Sequence, residues 1–204
     1  MIIKQLEVGP FAVNCYLIFI EETKTLYIID PGDEGERIVS EARQFDFEKV
    51  ELLLTHYHID HINAVSFCAR ELKCSCVRLR TPDHPYFLSP DNCLPPYFPE
   101  AVKNPPVPRE YEDNEDFKVL ALPGHTKGGA GLLFGDALFC GDTLFLNSCG
   151  RTDLPGGDDR EITHTLLKVL MALPDEIKCY CGHGPATTIG AERRNNPYIN
   201  GTYL

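Results

Sequence analysis

Positive charge is scarce in this chain: 19 lysines and arginines stand against 30 aspartates and glutamates, a formal net charge of −11. Non-specific binding to nucleic acid or to an anionic membrane needs basic patches that displace counterions, so neither partner is expected. A local basic pocket stays open. Long apolar runs are also missing. None approaches the ~20 residues that a spanning helix needs. Residues 1–7 are too short and too charged for a secretion signal, so a cytoplasmic protein is expected. Internal repeats and an evident interdomain linker are absent, and the 204 residues read as one domain. Cysteine is plentiful, but its nine copies make an odd number. Without a secretion signal, a disulfide framework is not expected. Most of these thiols sit in apolar strands and read as small packed hydrophobes, including the pairs Cys74/Cys76 and Cys179/Cys181.

What the chain does have is a dense set of metal-ligand side chains. His56, His58, Asp60 and His61 fall within six residues, directly after the apolar run 50–54. That run reads as a buried strand, so the ligands leave its C-terminal end, where α/β sheets place their sites. In extended chain His56 and His58 point the same way. Asp60 suits the first turn of a helix continuing through residues 63–72. Two imidazoles on one side, and a carboxylate with an imidazole on the other, can hold two metal ions. Buried histidines rarely bunch so tightly without being ligands.

Further strands are expected at residues 2–8, 13–20, 25–30, 76–80, 117–122, 131–134, 137–140 and 177–181, with amphipathic helices at 34–45 and 160–173. Nine of the sixteen prolines lie between Pro82 and Pro108, which marks an irregular segment. Four strands run out at a ligand type beside small, flexible residues: His56, His125, Asp142 and His183. Asp30, in the turn Asp30-Pro31-Gly32, either supports a histidine or merely closes its turn. His84 and His164 read as plain surface residues.

The set His56, His58, Asp60, His61, His125, Asp142 and His183 resembles the metallo-β-lactamase superfamily, and the resemblance spans nearly the whole chain. Within it, Asn14-Cys15-Tyr16-Leu17, Asp30-Pro31-Gly32, Pro123-Gly124-His125-Thr126, Gly141-Asp142-Thr143-Leu144-Phe145 and Gly182-His183-Gly184-Pro185 are most similar to short bacterial glyoxalase II-type thioesterases. The stretch 188–193 also looks like the C-terminus of the short form. The resemblance implies an α/β fold, a four-layer αββα sandwich. It implies one metal on His56, His58 and His125, a second on Asp60, His61 and His183, and Asp142 bridging. Nitrogen and oxygen donors without thiolate suit zinc first, and also iron or manganese. The implied reaction is hydrolysis of a small thioester, such as S-D-lactoylglutathione, by a metal-bridging hydroxide that Asp60 helps to orient. Arg151 falls where these enzymes place a basic contact to glutathione. The following Thr152-Asp153-Leu154-Pro155 lacks the aromatic contact expected there, and the residues after His183 are too few for the helical glutathione-binding domain of the long enzymes. Alternative readings are a mononuclear-iron persulfide dioxygenase, a lactonase or other ester or amide hydrolase, and a metal-stabilised binding domain without turnover. Oligomeric state is left open.

Overall fold

A computed structural model describes residues 1–112 and 114–201. The chain forms two compact units, Met1–Tyr111 and Glu112–Leu204.

The first unit is built on one five-stranded sheet in the order β1-β2-β3-β4-β5. Strands β1 (Ile2–Val8), β2 (Val13–Ile20) and β3 (Thr25–Ile29) run antiparallel in sequence. Helix α1 (Gly35–Ala42) carries the chain over to β4 (Lys49–Leu53), which lies parallel to β3, and β5 (Cys76–Arg78) lies parallel to β4. Every residue of β2 and β3 is buried, which is why they read as continuous apolar runs. Leu17, Leu26, Ile28 and Leu52 pack with Ile38 and Val39 of α1 in the core of this unit.

The helix expected after Asp60 is interrupted. Helix α2 (Ile59–Ile62) and helix α3 (Val65–Glu71) are separated at Asn63 and Ala64. The cause lies about 30 residues upstream, in the turn after β3. The Ala64 N–H donates to the Pro31 carbonyl at 3.0 Å rather than to its own helix. Gly32 packs so closely that a Cβ on it would lie 1.8 Å from the Asp60 carbonyl oxygen. The Pro-rich segment is irregular apart from a 3-10 turn at Thr81–Asp83, the one-turn helix α4 (His84–Phe87) and an isolated antiparallel bridge between Leu94 and Phe98. His84 is not a plain surface residue: its Nε2 bonds the Leu79 carbonyl at 2.8 Å.

The second unit has the sheet order β12-β11-β8-β7-β6. Strands β6 (Lys118–Ala121), β7 (Ala130–Phe134) and β8 (Ala137–Gly141) form an antiparallel meander. Strands β9 (Leu144–Phe145) and β10 (Ser148–Cys149) form a separate short hairpin. Helix α5 (Asp159–His164) starts at Asp158, whose carboxylate accepts from the Arg160 and Glu161 N–H groups. The segment expected as one helix through residue 173 then widens into a π-helical turn at Thr165–Val169 and closes as a 3-10 turn at Leu170–Ala172. The buried positions Ile162, Leu166 and Leu170 are spaced by four. On an ideal α-helix such steps drift by about 40° each, and the wider turn holds them on one face. Strand β11 (Lys178–Cys181) is parallel to β8, and β12 (Thr187–Thr188) leads into α6 (Ile189–Asn195). No helix among the described residues is long and apolar enough to cross a membrane.

Candidate metal centre

In the first unit the site follows from parallel pairing. Strands β3 and β4 align Ile29 with Leu53, so the residues that follow them emerge side by side at one sheet end. Asp30 follows β3; Thr55 and His56 follow β4. The Asp30 carboxylate accepts from the Thr55 N–H at 2.7 Å on one oxygen. Its other oxygen accepts from the Thr55 hydroxyl at 2.6 Å and from His61 Nδ1 at 3.0 Å. Because the Thr55 proton goes to Asp30, the Thr55 oxygen is left to accept from His56 Nδ1, 3.0 Å away. Both rings are thereby set as the tautomer with the proton on Nδ1 and a lone pair on Nε2. Asp30, His56 and His61 are all buried, with donor atoms within 4.8 Å of one another. The rings of His56 and His58 meet edge-on at 4.7 Å, and those of His56 and His61 lie 4.2 Å apart. Asp60 Oδ2 is 3.8 Å from His61 Nε2. Of the alternatives for Asp30, support of a histidine is what the geometry displays, and it closes its turn as well, at φ 49°.

Tyr57 does not face outward among these ligands. It is buried, stacks on Tyr86 at 4.7 Å, and holds its hydroxyl proton more tightly than usual because burial disfavours the phenolate, with Asp83 and Tyr86 adding to the effect. Its carbonyl accepts from Asn92 Nδ2 at 2.9 Å, so the Pro-rich segment is tied to the ligand loop between His56 and His58.

The second unit uses the same device. Strands β6 and β8 run in one direction and β8 is parallel to β11, so His125, Asp142 and His183 all follow the same end of the sheet. The Gly182 N–H donates to the Gly141 carbonyl at 2.8 Å, which holds the last two loops in step. Asp142 Oδ2 lies 3.7 Å from His125 Nε2 and 3.5 Å from His183 Nε2. His125 Nδ1 donates to the Arg151 carbonyl at 2.6 Å, so its Nε2 also carries the lone pair. Gly150 is required here: a Cβ would lie 1.8 Å from the Asp142 carbonyl oxygen and 3.0 Å from His125 Nδ1.

A cleft of about 500 Å³ opens on this set and is lined by His125, Asp142, His183, Phe145, Leu146 and Arg151 among others. Arg151 reaches it already charge-paired, with Nε and Nη2 each 2.6 Å from an Asp153 oxygen. That pairing drops the Asp153 carboxyl to about 2. Arg193 is engaged elsewhere, bonding Asp175 and the carbonyls of Met171 and Leu173. All nine cysteines are free thiols, and Cys15, Cys68, Cys140, Cys179 and Cys181 are buried, as expected of packing residues.

The donor set fits divalent metal. His56, His61 and His125 are each held by a protein acceptor on Nδ1, carboxylates stand beside them, and thiolates take no part. The sequence matches the Metallo-beta-lactamase superfamily model over residues 8–183. The chain belongs to the metallo-β-lactamase superfamily. It is 34% identical to hydroxyacylglutathione hydrolase GloC of Haemophilus influenzae, with 98% of this chain and 99% of that protein covered. Among solved structures it is similar to BLEG-1 B3 metallo-β-lactamase, with TM-score 0.87, 31% identity, and coverage of 98% of this chain and 100% of that one. It is also similar to TTHA1623 in a di-iron-bound form, with TM-score 0.85, 36% identity, and coverage of 96% and 100%. The α/β fold expected from the sequence is therefore the fold of this family, and membership together with the histidine and aspartate clusters indicates a metallo-hydrolase that uses divalent metal.

Proposed function

We propose that residues 1–204 work as one binuclear metallohydrolase that cleaves thioesters, S-2-hydroxyacyl thiols such as S-D-lactoylglutathione among them. In this reading His56, His58 and His125 hold one cation, Asp60, His61 and His183 hold the other, and Asp142 serves both. The observation that carries it is the preset tautomer of His56, His61 and His125, which a polar surface loop has no reason to maintain. Bound divalent cations supply a water of pKa near 7 and polarise a carbonyl oxygen. Asp60 orients the attacking oxygen by accepting its proton in a hydrogen bond. In the overall reaction a C–O bond forms and the C–S bond breaks, yielding a carboxylic acid and a thiol. A thiolate whose parent thiol has a pKa near 8.5 leaves without a general acid, and none is assigned. Arg151 is the candidate contact for a substrate carboxylate, in exchange for Asp153. The likeness to a protein named as a hydroxyacylglutathione hydrolase supports the thioester, and the likeness to a di-iron-bound protein supports iron beside zinc as the occupant. The acidic balance supports a small-molecule substrate and no nucleic-acid or membrane partner.

The test is metal content of freshly purified protein together with hydrolysis of S-D-lactoylglutathione. Two metals per chain with turnover, both lost in His58→Ala and Asp142→Ala, is the expected result. One iron with oxygen uptake on a persulfide would replace this reading by a dioxygenase. Two metals with no thioester cleaved would move the search to lactones and β-lactams, and full metal without any turnover would leave a binding domain.

A further inference from the structure

We infer that the β9–β10 hairpin is a specificity element: it presents Leu146 as a fixed apolar contact, and the substrate carries an aliphatic group in the cleft beside His183. The inference rests on the hydrolase reading for its reaction but not for its binding. Leu146 is 45% exposed, a large apolar side chain held in water at the tip of a hairpin of two-residue strands. An isolated hairpin of this size is not stable alone. Here it is anchored from behind by buried polar groups of α6 and of the residue that caps its C-terminus, Asn196. Glu192, fully buried, accepts from the Asn147 N–H at 2.8 Å on one oxygen and from the Thr187 hydroxyl at 2.6 Å on the other. Asn196, also fully buried, donates from Nδ2 to the Ser148 carbonyl at 2.9 Å and to Glu192 at 2.8 Å. Burying a carboxylate is costly unless its hydrogen bonds are met. In this unit they are met in part by the turn itself, where Asn147, at φ 57°, follows Leu146.

The anchored turn forms one wall of the cleft that His125, Asp142 and His183 also line, with Phe145 and Pro185 continuing the apolar surface. The Phe145 and His183 rings meet at 6.2 Å, so the wall reaches the ligand set. The cation at the rim, Arg151, is neutralised by Asp153. In a cleft whose volume is in the range of small-molecule sites, an apolar wall beside a few convergent polar groups favours a ligand that carries an apolar group. A flexible loop could retreat from a polar substrate. This one is held in place.

The experiment uses S-methyl, S-butyl and S-hexyl thioethers of N-acetylcysteamine, which are neutral and are not hydrolysed. Their affinities for the protein as isolated are measured by NMR titration. Expected is a fall in Kd of about two- to fourfold per added methylene, flattened in Leu146→Ser and restored in Leu146→Met. Equal affinity across the series, or an unchanged slope in Leu146→Ser, overturns the inference. Hydrolysis of S-acetyl-N-acetylcysteamine is followed in parallel on metal-loaded protein. Its absence would count against the thioesterase and leave the chain-length dependence standing.

Discussion

Asp30 has two carboxylate oxygens and three donors, and each donor fixes a different part of the site: the Thr55 backbone, the Thr55 hydroxyl and His61. Replacing it with asparagine isolates that role. Asparagine tolerates a positive φ, so the turn survives, but its amide nitrogen must face a donor on one side. Asp30→Asn is expected to lower metal affinity by about 10- to 100-fold, measured by competition with a chromogenic chelator, with the circular dichroism spectrum unchanged. Equal affinity would show that His61 needs no such support. Cys149 tests whether the thiols are inert packing groups. Burial, and then the nearby Asp159 carboxylate, push its thiol up to about 11. A raised thiol pKa leaves the neutral form dominant at pH 8, with thiolate on the order of one part in a thousand. Alkylation of Cys149 by iodoacetamide at pH 8, read by mass spectrometry, is expected to be about 100-fold slower in the folded protein than in urea. Parity would mean that the thiol is exposed and reactive.

Among the elements, the ligand loops depend on close backbone approaches that a methyl group would block. Gly150→Ala places a Cβ against the Asp142 carbonyl and His125. Overpacking of this kind costs about 1–3 kcal/mol, and here the strain falls on two proposed ligands. Both a lower melting temperature and a loss of bound metal are expected. Gly135→Ala is the control: its φ of 59° also strains a side chain, but nothing lies within 4 Å of the added Cβ. It should cost stability, about 1–2 kcal/mol, and no metal. If Gly150→Ala keeps its metal, the Arg151 carbonyl does not govern His125. The long strands were legible in the sequence because burial on both faces writes itself as apolar runs, as in β2 and β3. The cluster after β4 was legible because four donor side chains crowd into six residues there, and the structure brings the His56, His58 and His61 rings together. Three features were not. Strands β9, β10 and β12 are two residues each, too short for any period, and the hairpin is held by Glu192 and Asn196, 45 and 48 residues from the groups they bond. The break between α2 and α3 comes from the Pro31 carbonyl, and the orientation of His125 from the Arg151 carbonyl. A backbone carbonyl leaves no mark in residue identity, so the bond between His125 and the Arg151 main chain could not be read from the sequence.

At the scale of the molecule, each unit has its own sheet, its own core and its own half of the proposed ligand set: His56, His58, Asp60 and His61 in the first, His125, Asp142 and His183 in the second. Metal that binds only the folded chain stabilises it by mass action, by about 2.7 kcal/mol at a free concentration 100 times Kd. For a chain of this size that is roughly 5–10 °C in melting temperature. Dialysis against a chelator is expected to remove that increment and zinc or iron to restore it, followed by scanning calorimetry. The two halves can then be separated. His58 and His183 are both proposed ligands, so His58→Ala in the first unit and His183→Ala in the second should each reduce the metal-dependent increment. If one variant loses it and the other keeps it whole, the residue replaced in the second holds no metal, and its place in the proposed ligand set fails.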